Sequence, residues 1–216
     1  MKAFIIPGYH LPNNIENDEK YIKYFDFACK EIVRISNSEK VLVILSGGNI
    51  DMDKPFDRIL SKVMLPLFKS YIDKYNINCL VKTEEKSLSS LENLIYSKDI
   101  LDEFKENLET YIFCDKQRLE RSKILADKVF NNPIMLGVDI SHDLEKQNAD
   151  LVNKKEELAT KFSLWALKSK DNFDKFKSIY NEKYTYLRTV SPEKRKEAEI
   201  EWWKEMLSKS SDILSA

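Results

Sequence analysis

The stretch "EEKSLSSLEN", Glu84 to Asn93, holds more hydroxyls and carboxylates than the start of a helix requires. Ser89 with Glu92 three residues later is a capping box, in which the serine takes the N–H of the third helical residue and the glutamate reaches back to the cap. Ser87, Ser90 and Asn93 are left over. A helix N-terminus carries free N–H groups and the positive end of the helix dipole, so surplus hydroxyls around it suit an anionic or carboxylate-bearing ligand. A solvated loop is the plainer alternative, and this stretch taken alone favours it.

The same chemistry recurs at the ends of other apolar runs. Ligands of open α/β sheets bind outside the carboxyl ends of the strands. The first run delivers Pro7, Gly8, Tyr9 and His10, and the second Ser46, Gly47, Gly48 and Asn49. The third leads to Glu84, Glu85, Ser87, Ser90, Glu92 and Asn93, and the fourth to Cys114, Asp115, Arg118 and Arg121. Glycine at such turns permits positive φ or close backbone approach to a ligand with free N–H groups. Arg118 and Arg121, three apart, suit a carboxylate or phosphate, or ion pairs with Asp115 and Glu120. Neither the spaced-glycine dinucleotide fingerprint nor a P-loop is present. No Ser-His-Asp set assembles around His10 or His142.

The elements that must position these groups are short apolar runs: 3–7, 41–45, 77–81, 111–114 and 133–138. None alternates, which suits strands covered on both faces of a parallel sheet. Between them lie amphipathic stretches, clearest from Glu16 to Ser36, where Tyr21, Phe25, Cys29 and Ile32 recur at helical spacing. Asp53 with Pro55 reads as the start of the next helix, with Pro66 kinking or ending part of it. The alternation predicts an α/β, Rossmann-like doubly wound, mainly parallel sheet of about five strands over residues 1–140. Residues 141–216 read as a C-terminal helical extension packed on that domain, with helices over 158–168, 173–187 and 191–207 and with Trp165, Trp202 and Trp203 as packing residues.

Composition excludes several classes. Lys plus Arg number 35 against 36 Asp plus Glu, so no basic footprint for nucleic acid or an anionic membrane is visible. The opening apolar run is too short for a signal segment or a membrane span, which points to a cytoplasmic protein. Cys29, Cys79 and Cys114 are far apart in apolar runs, as reduced core residues are. Two histidines argue against a zinc cluster, and no metal is expected.

The order of these segments resembles the YdcF, SanA and ElyC family, long called a domain of unknown function. The resemblance rests on Gly8, on Ser46-Gly47-Gly48, on Glu84, Ser87, Ser89, Ser90, Glu92 and Asn93, and on Arg121, over about residues 1–140. Cys114 stands where the family has threonine, and Arg118 where histidine is usual. The resemblance implies a Rossmann-like fold and, through soluble YdcF-like members, S-adenosylmethionine as a ligand. Membrane-anchored members are linked to the cell envelope; this chain looks closer to the soluble branch.

Three functions stay open. The first is a cytoplasmic small-molecule binder taking a nucleotide-like ligand such as S-adenosylmethionine through Gly8, His10, Ser46, Gly47, Gly48, Glu84, Ser87, Ser90, Glu92, Asn93, Arg118 and Arg121. The second is a phosphoester or glycosyl-phosphate enzyme with Glu84 or Glu92 as base. The third is a non-catalytic interaction protein with a decayed pocket, whose aromatic C-terminal helices form a homodimer or bind a partner.

Overall fold

The structure, a computed structural model, describes residues 1–104, 107–140 and 149–215. His142, considered above as a site residue, lies outside the described residues. Strands β1 (Lys2–Pro7), β2 (Val41–Ser46), β3 (Cys79–Glu84), β4 (Glu109–Asp115) and β5 (Ile134–Val138) form one all-parallel sheet in the order β3-β2-β1-β4-β5. Helices α1 (Glu19–Ser36), α2 (Leu60–Tyr75), α3 (Ser90–Asp102) and α4 (Leu119–Val129) connect them. Helix α1 packs beside α2 and α3 beside α4. The fold is Rossmann-like and doubly wound, because the chain returns past β1 to start its second half.

The central strands are apolar without alternation because both faces are covered. Ala3 to Ile6 of β1 and Val41 to Leu45 of β2 are wholly buried. Strand β3 departs from that reading: it is an edge strand, its Leu80 and Lys82 are exposed, and it begins two residues later than the apolar run at 77–81. Helix α1 buries Tyr21, Tyr24, Phe25, Ala28, Cys29 and Ile32 along one stripe, and Asp18 caps it by accepting from the N–H groups of Lys20 and Tyr21.

Helix α2 begins at Leu60, not at Asp53. Its first turn has no side-chain cap; Leu60 and Ser61 instead donate their N–H groups to the carbonyls of Gly48 and Gly47, at 3.0 and 2.9 Å. A cap supplied by another loop leaves no local sequence signal. The helix does not end at Pro66, which lies inside it. Ahead of it, buried Asp51 accepts from Arg58 Nη2 at 2.7 Å and Nε at 3.1 Å, a bidentate pair that closes the intervening loop.

The chain divides into two compact units, Met1–Asp51 with Asp57–Ser141, and Met52–Phe56 with His142–Ala216. Residues 52–56 therefore belong with the helical unit and are not helical themselves. In that unit α5 (Ala149–Ala166), α6 (Lys170–Thr189) and α7 (Arg195–Ser215) carry the buried residues Leu158, Phe162, Trp165, Phe176, Leu187 and Trp203. Lys183 is buried with them, 2.6 Å from Glu199 and beside the Trp202 and Trp203 rings. Trp203 of α7 lies against Lys155 of α5 and Lys183 of α6. Among the described residues no helix is long and apolar enough to cross a membrane.

Candidate functional site

The strand order reverses between β1 and β4, and a cavity of about 60 Å³ opens there at the carboxyl ends. Gly8 and Tyr9 line it from the turn after β1, Ser90 and Asn93 from the first turn of α3, and Cys114, Asp115 and Arg118 from the end of β4. Tyr24, Phe113 and Leu125 give it an apolar wall. Of the residues expected to bind a ligand, Gly8, Ser90, Asn93 and Arg118 meet at this cavity. Arg121 stands close behind, with Nη2 3.4 Å from Ser90 Oγ.

Ser46, Glu84 and Ser87 lie deeper, each no more than 3 % exposed. Glu84 Oε1 accepts from the N–H groups of Lys86 (2.5 Å) and Ser87 (3.0 Å), while Oε2 accepts from the hydroxyls of Ser46 and Ser87, both at 2.6 Å. The two hydroxyls also meet one end of the Asn93 side-chain amide, at 3.0 and 2.5 Å. A buried carboxylate without such partners would be costly, and this one is fully engaged. Glu84 therefore fixes the β3–α3 loop and holds Asn93, which faces the cavity, from behind. Glu92 is also turned inward: it accepts from the Leu88 N–H at 3.1 Å and the Ser89 hydroxyl at 2.8 Å, while Ser89 Oγ accepts from the Glu92 N–H. It closes the capping box one residue earlier than expected.

The glycines act differently from the sequence expectation. None has positive φ. Their N–H groups are engaged within the protein: Gly8 donates to Ser46 O at 2.8 Å, Gly47 to Glu84 O at 3.1 Å and Gly48 to Ser87 O at 2.8 Å. The close approach they permit is to the protein itself. A Cβ on Gly8 or Gly47 would stand 2.4 or 2.8 Å from the Leu60 side chain, and one on Gly48 would stand 2.4 Å from the Ser87 carbonyl. These turns thread three loops together and bring the β3–α3 loop against β2.

His10 is likewise held away from the cavity wall. Its Nε2 is 2.9 Å from Asp18 Oδ2, and Asp18 Oδ1 also accepts from the Tyr9 hydroxyl at 3.2 Å. Tyr21 donates its hydroxyl to the His10 carbonyl at 2.7 Å, so the histidine ties the β1–α1 loop to the start of α1. Burial raises the hydroxyl pKa of Tyr9, Tyr21 and Tyr24, keeping all three protonated donors.

Cys114 faces the cavity, where burial pushes its thiol up to about 11 despite the nearby Ser122 hydroxyl and the positive charges of Arg121 and Arg118. At pH 8 only on the order of one thiol in a thousand is then thiolate. Peptide mapping after iodoacetamide treatment should find Cys114 alkylated far more slowly than glutathione at pH 8, with a rate rising about tenfold per unit between pH 7 and 9. A rate equal to that of glutathione would place an activated thiolate there.

Sequence reasoning missed Tyr24, Leu94, Ser122 and Leu125 as cavity residues. Each looks like an ordinary helix residue, and only packing turns it inward. A wider hollow of about 550 Å³ on the helical unit is lined by Tyr186, Trp202 and the polar residues Glu201, Lys204, Glu205 and Ser208. Lys204 pairs with Glu201, and the buried Lys183–Glu199 pair lies behind the Trp202 ring of that wall. Among the described residues no group of three or more His, Cys, Asp or Glu is placed to hold a metal ion. Comparison with known proteins finds no matching family model, no similar curated protein and no similar solved structure.

Proposed function

We propose that the sheet unit binds a compact, anion-bearing small molecule in the cavity between the ends of β1 and β4. The observation that carries this is positional: a cavity lined by Arg118, Asp115, Asn93 and the serines Ser90 and Ser122 lies at the point where the strand order reverses. Arg118 supplies the charge for a carboxylate or phosphate, and Ser90 and Ser122 supply hydrogen bonds. Its volume has room for a few water-sized groups, so a nucleotide-like molecule would place only one end group inside. S-adenosylmethionine, suggested by the YdcF-like resemblance, belongs in this reading through its amino-acid end. Three free cysteines favour a cytoplasmic setting.

The test is thermal unfolding against small carboxylates, phosphate, sugar phosphates, nucleotides and S-adenosylmethionine, on the natural protein and on Arg118→Ala. A compound at 100 times its Kd should stabilise by about 2.7 kcal/mol, a rise of several degrees in Tm. Arg118→Ala should unfold at nearly the natural temperature yet lose that rise. An equal rise in the variant would remove Arg118 from the site, and no rise with any compound would sink the binding reading.

A further inference from the structure

The oxygens behind the cavity form a closed ring: Glu84 Oε2 to Ser46 Oγ (2.6 Å), on to the Asn93 amide (3.0 Å), to Ser87 Oγ (2.5 Å) and back to Glu84 Oε2 (2.6 Å). Each of these contacts needs a proton. The two serine hydroxyls supply one each. If Asn93 turned its oxygen toward them, two of the contacts would set lone pair against lone pair at hydrogen-bond distance. A proton added to Glu84 would repair only one.

Turning the amide over repairs both. The oxygen and nitrogen of an amide have nearly the same shape, and their assignment follows from the network. With Nδ2 toward the serines, its two protons go to Ser46 Oγ and Ser87 Oγ, and both hydroxyls donate to Glu84. All contacts of the ring are then filled. Glu84 already accepts the Lys86 and Ser87 N–H groups on its other oxygen, so its lone pairs are filled as well. Asn93 is 9 % exposed and lines the cavity. Its carbonyl oxygen therefore turns to the cavity.

We infer that Glu84, acting through Ser46 and Ser87, fixes Asn93 as a hydrogen-bond acceptor in the cavity, so that the site selects a small molecule carrying a hydroxyl or ammonium donor beside its anionic group. The selection rests on the binding function proposed above; the orientation of the amide does not. Asp115 also lines the cavity, with one carboxylate oxygen capping the next turn through the Gln117 N–H. An α-hydroxy or α-amino acid head group has both features. Asn93 is a specificity residue, and Glu84 a positioning residue that acts through it.

Glu84→Gln reverses the ring without emptying it. The substituted side chain keeps an oxygen for the Lys86 and Ser87 N–H groups and presents its NH2 to the two serine oxygens. The hydroxyls must then donate to Asn93, whose amide flips and offers its NH2 to the cavity. The variant leaves the contacts filled and changes only their direction.

The experiment is two-dimensional 15N NMR of the natural protein and Glu84→Gln, with the Asn93 side-chain amide assigned through its own β-protons. In the natural protein its NH2 should exchange slowly and show nuclear Overhauser contacts to the β-protons of Ser46 and Ser87. In Glu84→Gln those contacts should shift to ring protons of Tyr24 and Phe113. Cavity contacts in the natural protein, or no change in the variant, would overturn the inference. Titrations with glycolate, acetate and methoxyacetate read the selectivity. Glycolate should bind about tenfold tighter than either analogue, since a buried acceptor left unpaired costs about that much, and Glu84→Gln should abolish the preference. Equal binding of all three to the natural protein would overturn the donor requirement. If none binds, the proposed function falls, while the amide contacts still decide the orientation.

Discussion

Glu84→Ala should lower the unfolding free energy by about 4 kcal/mol, because it strips acceptors from several buried donors at once. The Lys86 and Ser87 N–H groups and the Ser46 and Ser87 hydroxyls all point at this carboxylate. Water has no easy access to replace it, with Glu84, Ser46 and Ser87 at most 3 % exposed. Glu92→Ala makes the contrast, since it removes the helix cap that takes the Leu88 N–H and the Ser89 hydroxyl, and it should cost about 2 kcal/mol. Urea denaturation of the two variants beside Glu84→Gln gives the ranking. A loss below that of Glu92→Ala would show that the loop does not depend on its buried carboxylate.

Gly48→Ala should cost about 3 kcal/mol, at the upper end of what overpacking a tight site costs. Its Cβ would meet the Ser87 carbonyl at 2.4 Å and the Lys86 carbonyl carbon at 2.8 Å, and backbone cannot rotate aside as a side chain can. The β3–α3 loop would have to retreat, breaking the Gly48 N–H bond to Ser87 and loosening the carbonyls that cap α2. Gly137→Ala is the control. Its Cβ would come no nearer than 3.5 Å to Leu119, so it should change stability by less than about 1 kcal/mol. Similar urea midpoints for the two variants would mean that the interlocked loops yield easily.

Much of the sheet was legible because burial on both faces writes itself into composition. Runs such as 41–45 have no polar register to keep, which suits an interior strand, and β2 is one. Helix α1 was equally plain from its stripe of Tyr21, Phe25, Cys29 and Ile32. The start of α2 was not, since its cap is a pair of carbonyls from the Gly47–Gly48 turn and Asp53 only imitates a cap. The placement of residues 52–56 with the helical unit was hidden for the same reason: it depends on partners more than a hundred residues away, such as Arg195, whose Nη1 lies 2.7 Å from Asp53.

The polar groups divide along the same line. Periodicity and strand ends determined, from the sequence by itself, that Gly8, Ser46, Glu84, Asn93 and Arg118 would gather at one edge of a parallel sheet, because right-handed crossovers leave the strand ends together. What each group does there was decided by tertiary structure. A serine or glutamate after a strand has the same letter whether it meets a ligand or a neighbour, and burial chose the neighbour for Ser46, Glu84, Ser87 and Glu92. Only the packing of three loops separated the residues that hold the site from Asn93, Ser90 and Arg118, which face the cavity.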